Sequence, residues 1–313
     1  MKAVGENMDM TPRRNRPYLL MGILMVFWGS YAAVSKLALT RMDLPRTLFW
    51  FFGLAWAAMA IWLLCKGKLP ALRALGLRGW LRRAPAALAQ WLYYLLYGLA
   101  MLRIPTAEAA TLNYLFPVFL VVLAIPLKKE PLNGHKAMAI GLGLLGALLI
   151  ITGGSAGLSF TNLIGDLLAV GAAVCWALFS ILGSRNTGER GMDSFVDTTI
   201  ALALSALLLP LSGGCMPPDM DALLSVGWMT VSNLLMTYLL WFRVLRIASA
   251  AQAASLAYFT PFVTLIFIAV LLGEPIAPRQ LAGLAVLTLG VLQQSALLRQ
   301  ARSLWNRKRG ISG

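Results

Sequence analysis

The chain has 313 residues, 59% of them hydrophobic and 12% charged, with a mean hydropathy of +0.75; soluble domains carry roughly 25% charged residues, which excludes a water-soluble globular protein. The net charge of +15 does not mark a nucleic-acid partner, because the basic residues sit in short segments between apolar runs and leave no soluble basic face. Three scattered cysteines and a single histidine, His135, exclude a disulfide framework and most histidine-based metal centres, so neither metal nor cofactor is expected.

Residues 1–17 form a polar tail ending in Arg13, Arg14 and Arg16. The apolar run after it is too long for a signal-peptide core and lacks a cleavage site, so it is expected to stay as the first span. Apolar runs between Pro, Gly and charge clusters then predict ten membrane-spanning helices. The first five are Tyr18–Leu39, Thr47–Leu64, Ala84–Leu102, Ala107–Leu127 and His135–Thr152. The second five are Leu163–Leu182, Phe195–Leu211, Leu223–Val244, Ser249–Leu272 and Leu281–Leu298, followed by a basic tail over 299–313. Between spans two and three, Leu69–Arg83 interleaves leucines with Arg73, Arg78, Arg82 and Arg83, the pattern of a short interfacial helix.

Cytoplasmic loops hold the excess of Lys and Arg. An inside N-terminus puts 22 basic residues on the cytoplasmic side and four outside, namely Arg41, Arg46, Arg103 and Arg279. Both termini are therefore expected in the cytoplasm. Lys36, inside span one near its outer end, either snorkels or meets a substrate carboxylate.

The chain also repeats itself. A shift of 144 positions lays Ala109, Ala110, Leu112, Tyr114, Pro117, Glu130, Pro131 and Gly146 on Ala253, Ala254, Leu256, Tyr258, Pro261, Glu274, Pro275 and Gly290 without a gap. Each half, 18–152 and 163–298, holds five expected spans, an odd number, so the second half enters the membrane from the opposite side. The expected fold is an all-α membrane protein of ten helices in two inverted five-helix repeats.

The pattern A-x-x-L-x-Y-x-x-P in spans four and nine, with Glu-Pro thirteen residues after the proline, resembles the EamA-type members of the drug/metabolite transporter superfamily. Asn113-Tyr114-Leu115-Phe116-Pro117, preceded by Tyr93 and Tyr97, is similar to the branch that exports aromatic and other neutral amino acids, with Phe116 where that branch typically has Trp. The resemblance implies an inner-membrane exporter working by alternating access. It also implies a midplane substrate cavity lined by spans one, three, four, six, eight and nine. The partners expected are a small-molecule substrate and the bilayer. Proton coupling stays open, as do a monomer and a weak homodimer, and export of other metabolites, drugs or amines is the alternative.

Tyr93 and Tyr97 lie at i and i+4, hence on one face of span three, and serve either a stacking pocket or an interfacial aromatic belt. Asn113 and Tyr114 stand just before Pro117, whose missing N–H breaks the helical ladder, and Tyr258 stands before Pro261 in the same way. These prolines are candidate hinges or static kinks. With Phe116, Trp176 and Tyr238 they complete the candidate substrate set, and Asn233, Thr237 and Trp241 add a polar-aromatic group in span eight. Trp50 and Phe51 are expected to face lipid. Glu130 and Glu274, each before a proline at a span end, are expected to cap or pair structurally; Glu108 and Asp197, near span starts, are candidate proton relays. Ala139, Gly143 and Ala147 form a small-residue stripe for helix packing. An enzyme would need a nucleophile with a base or a clustered acidic site, and neither is present in the sequence. A channel or scaffold would lack a closed aromatic pocket.

Overall fold

The computed structural model describes residues 16–128, 162–184, 190–247 and 260–292, with scattered residues between 134 and 146. Most of span five, its small-residue stripe, Glu130 and Tyr258 therefore lie outside the described residues. Those residues are all helical or in turns, with no strand among them. The helices are α1 Arg16–Arg41, α2 Leu44–Cys65, α3 Leu69–Ala74, α4 Gly76–Met101, α5 Thr106–Asn113, α6 Phe116–Lys128, α7 Leu163–Ser184 and α8 Arg190–Ala206. A 3₁₀ turn at Leu209–Ser212 follows, then α9 Met220–Met229, two π-helical stretches at Thr230–Leu235 and Thr237–Trp241, α10 Phe242–Ile247, α11 Thr260–Leu272 and α12 Pro278–Leu292.

Among the described residues, five helical segments are long and apolar enough to cross a membrane: Leu19–Arg41, Leu44–Cys65, Thr106–Leu127, Leu163–Ser184 and Met220–Val244. The chain is a multi-pass membrane protein. Helix α4 has the length to span but a more polar face, carrying Gln90, Tyr93, Tyr94 and Tyr97, all buried against other helices.

The expected interfacial segment takes a different form. Leu69–Arg83 is divided by Leu75 and Gly76 into the short α3 and the first two turns of α4, so Arg83 belongs to the long helix. Likewise α8 begins at Arg190, five residues ahead of the expected start, so that Asp193 lies within it beside Asp197. Phe51 does not face lipid. It is fully buried, with its ring 4.7 Å from Tyr94 and 6.4 Å from Tyr31.

Helix starts follow ordinary capping chemistry. Asp43 accepts from the Arg46 backbone N–H at 3.0 Å with Pro45 in the first turn of α2, and Asp219 accepts from Ala222 N–H at 2.8 Å to open α9. Asn162 caps α7 through Gly165 N–H at 3.2 Å and donates its amide to the Arg103 carbonyl at 2.7 Å. Pro117 sits in the first turn of α6, after the break at Tyr114 and Leu115, where its missing N–H denies the Asn113 carbonyl its helical donor.

The connections expected on the outer side lie together at one end of the bundle, called the outer end below. Arg46 donates to the carbonyls of Ser212 and, at 3.3 Å, Gly214; Trp50 donates to the Met216 carbonyl at 3.1 Å. Asn162 joins Arg103, and Glu274 accepts from Ala107 N–H at 3.2 Å. Glu274 thus contacts the first turn of α5 from the other half of the chain. In the middle of the bundle α1 lies so close to α11 that a Cβ on Gly29 would stand 2.7 Å from Val263 Cγ1. Only glycine permits that approach.

Candidate functional site

Six elements converge on one small cavity. Its wall is Trp28, Tyr31 and Ala32 from α1, Tyr93 and Tyr97 from α4, Asn113, Tyr114 and Phe116 at the α5–α6 break, Trp176 from α7, Asn233 from the first π stretch and Thr264 from α11. These elements correspond to expected spans one, three, four, six, eight and nine. The space between them is about 30 Å³, room for roughly two waters.

The aromatic side is a continuous set of ring contacts. Tyr93 stacks on Tyr97 at 5.8 Å, Tyr97 on Tyr31 at 6.2 Å, and Trp176 meets Tyr93 at 4.7 Å and Trp28 edge-on at 5.8 Å. Phe116 lies 6.5 Å from Trp176. Tyr93 and Tyr97 therefore belong to the bundle interior and not to an interfacial belt, being 5% and 3% exposed.

The polar side is built from neutral groups. Tyr114 and Thr264 share a hydroxyl hydrogen bond of 2.7 Å that links the two halves of the chain. Tyr94 donates to Asn233 Oδ1 at 2.5 Å, and Asn113 Nδ2 reaches Tyr93 Oη at 3.4 Å. Trp28 Nε1 donates to Thr237 Oγ1 at 3.0 Å, whose hydroxyl in turn donates to the Asn233 carbonyl. That bond holds a strip of π helix, a geometry common where a helix lines a functional site. Among the described residues no Asp, Glu, Lys or Arg is in the wall. Lys36, one turn outward, donates to the Met101 carbonyl at 2.7 Å and so satisfies the end of α4.

Of the residues expected at the site, Tyr93, Tyr97, Asn113, Tyr114, Phe116 and Trp176 are brought together, and Pro117 adjoins them. Pro261 stands in the first turn of α11, three residues before Thr264. Tyr238 is not in the wall; its hydroxyl donates to Gln90 Oε1 at 2.9 Å on the inner side of the cavity. Trp28, Tyr31, Asn233 and Thr264 are wall residues outside the expected set. Trp28 in span one corresponds loosely to Trp176 in span six, and Tyr31 and Thr264 carry no sequence signal beyond being polar in an apolar run.

Toward the inner end lies a charged cluster that the sequence did not assemble. Arg83, 4% exposed, donates Nε to Asp197 Oδ1 at 2.9 Å and Nη2 to Asp197 Oδ2, while its Nη1 stands 3.7 Å from Asp193 Oδ2. Asp197 is fully buried. A lone acid in a span requires a cation partner, and that rule points from Asp197 to Arg83 once Arg83 is placed on the helix.

The profile of the EamA-like transporter family matches the chain twice, over residues 15–152 and 163–294. The "Uncharacterized transporter YvbV" of Bacillus subtilis is 26% identical over 286 residues, covering 89% of this chain and 91% of that protein. The "Uncharacterized protein PA1977" of Pseudomonas aeruginosa is 30% identical over 287 residues, 90% and 94% of the two chains. The "Uncharacterized inner membrane transporter YedA" of Escherichia coli is 27% identical over 164 residues, 51% of each chain. A solved crystal structure superposes with a TM-score of 0.66 at 20% identity, covering 90% of this chain and 98% of the other, and so shares the fold. Two family matches across nearly the whole chain, on a helical bundle that closes over a small cavity, make this protein a membrane transporter of the EamA-like family.

Proposed function

We propose that the protein exports neutral, and preferentially aromatic, amino acids by alternating access around the cavity at the α5–α6 break. The chain crosses the inner membrane ten times as two inverted repeats with both termini in the cytoplasm. The charge count supports the orientation, and the name of YedA supports the membrane. The observation that carries the substrate reading is the wall itself, which offers aromatic faces, amides and hydroxyls and no charge. A substrate of net charge would be left uncompensated in a dry site, whereas a zwitterion brings its own balance. The rings supply stacking surface for an apolar or aromatic side chain. Because about 30 Å³ is too little for an amino acid, loading requires the cavity to widen, and the break before Pro117 is where α5 and α6 would part.

The test is uptake of phenylalanine and alanine into proteoliposomes containing the parent, Tyr97→Ala or Tyr114→Ala, with Trp62→Ala as an outward-facing control. A well-packed aromatic contact contributes on the order of 0.5–1.5 kcal/mol beyond area burial, so both wall variants should weaken phenylalanine several-fold more than alanine. A phenylalanine-to-alanine ratio equal to that of the parent would remove the wall from substrate recognition. Preferential uptake of cationic amines by the parent would replace amino acids with that class.

A further inference from the structure

Two asparagines belong to the wall, each with one half of its amide bonded to a tyrosine of α4, and the two halves left over are chemically opposite. Asn113 Oδ1 is buried and has no hydrogen-bond partner, while its Nδ2 reaches Tyr93. Pro117 also removes the i+4 helical donor of the Asn113 main-chain carbonyl. Asn233 is the reverse. Tyr94 occupies its Oδ1 at 2.5 Å, which leaves Nδ2 as the half of the amide that Tyr94 does not hold. An unpaired amide acceptor in a buried wall is costly unless something donates to it, and nothing among the described residues does.

We propose that Asn113 and Asn233 read the two ends of a zwitterion: Asn113 accepts from the ammonium group and Asn233 donates to the carboxylate. This rests on the reading of the cavity as an amino-acid site and adds to it what the site demands of the ligand. Neutral amides suit the task. A carboxylate in place of Asn113, or a cation in place of Asn233, would hold a singly charged ligand as well as a zwitterion, whereas two amides give a charge-assisted bond at each end and require both charges in one molecule. Tyr93 and Tyr94, neighbours on α4, fix the two amides, so one helix sets the orientation of both recognition groups.

Binding to the purified protein should be measured with three probes of one shape: phenylalanine, phenethylamine, which lacks the carboxylate, and 3-phenylpropanoate, which lacks the ammonium. The parent should prefer phenylalanine to either by about tenfold or more, since each lost end forfeits a hydrogen bond to a charged group. Asn113→Leu should weaken phenylalanine and phenethylamine by about tenfold and leave 3-phenylpropanoate unchanged. Asn233→Asp keeps an acceptor for Tyr94, so folding is spared; it should weaken phenylalanine and 3-phenylpropanoate and strengthen phenethylamine. If both variants weaken all three probes alike, or phenethylamine binds the parent as tightly as phenylalanine, the amides are structural and the proposal falls while amino-acid transport stands. If the parent takes none of the probes and no alanine, the amino-acid reading falls and the proposal with it.

Discussion

At the outer end Arg41 reaches Asp219 and Asp221 at 3.8 and 3.0 Å with all three side chains more than half exposed, whereas at the inner end Arg83 holds Asp197 with two bonds in a fully enclosed place. The residue types are the same and the physics differs. Water and headgroups screen the outer pairs, so forming or losing them changes little. The inner pair has lost its hydration, and its attraction roughly offsets that cost only while both partners are present. Ion pairs therefore cannot be ranked by number or distance. The outer pairs form an end that can part readily, and the inner pair couples α4, which carries Tyr93 and Tyr97, to α8.

The largest break in this comparison should come from Arg83→Leu, which leaves Asp197 buried without its cation; removal of one partner of such a pair costs about 3–5 kcal/mol. Arg83→Leu combined with Asp197→Leu should recover most of that loss, and unfolding of the detergent-purified variants measures both. A double variant as unstable as the single would show that the pair stabilises in its own right. Next in size is Tyr238→Phe, which leaves Gln90 Oε1 without its donor and should cost about 1–3 kcal/mol in the same measurement. A loss near zero would mean that water reaches the inner cluster. Smallest is Arg41→Ala, expected to change stability by less than about 1 kcal/mol. A loss as large as that of Arg83→Leu would make the outer end a latch of the same kind.

Much of the bundle was legible because lipid forces apolar runs and alternation: the long spans, the break before Pro117 and the meeting of the outer loops all follow from hydropathy, proline and charge. The cavity was legible in part, since polar or aromatic residues such as Tyr93, Asn113 and Trp176 are conspicuous in an apolar helix. Arg83 was misplaced for a physical reason. A hydropathy run ends at a charge, so a charged residue two turns inside a helix is indistinguishable from one in the adjoining loop, and only its partner 114 residues away decides. Phe51 and Tyr31 show the converse limit, because an aromatic facing lipid and one facing the interior have the same hydropathy. The π stretches over Thr230–Leu235 and Thr237–Trp241 depend on a hydroxyl bridge to Trp28, a contact across 209 positions.

The Arg83–Asp197 pair also governs the order in which the protein is made. Arg83 leaves the ribosome 114 residues before Asp197 does, an interval of about 6–20 s at ordinary elongation rates. Through that interval the guanidinium has no counter-ion and must stay at the headgroup level, holding α4 short of its final depth. Helix α4 can seat only when α8 arrives from the second half of the chain. The first half is thus a biosynthetic intermediate with one helix held shallow, and it should not reach its final packing when expressed without the second.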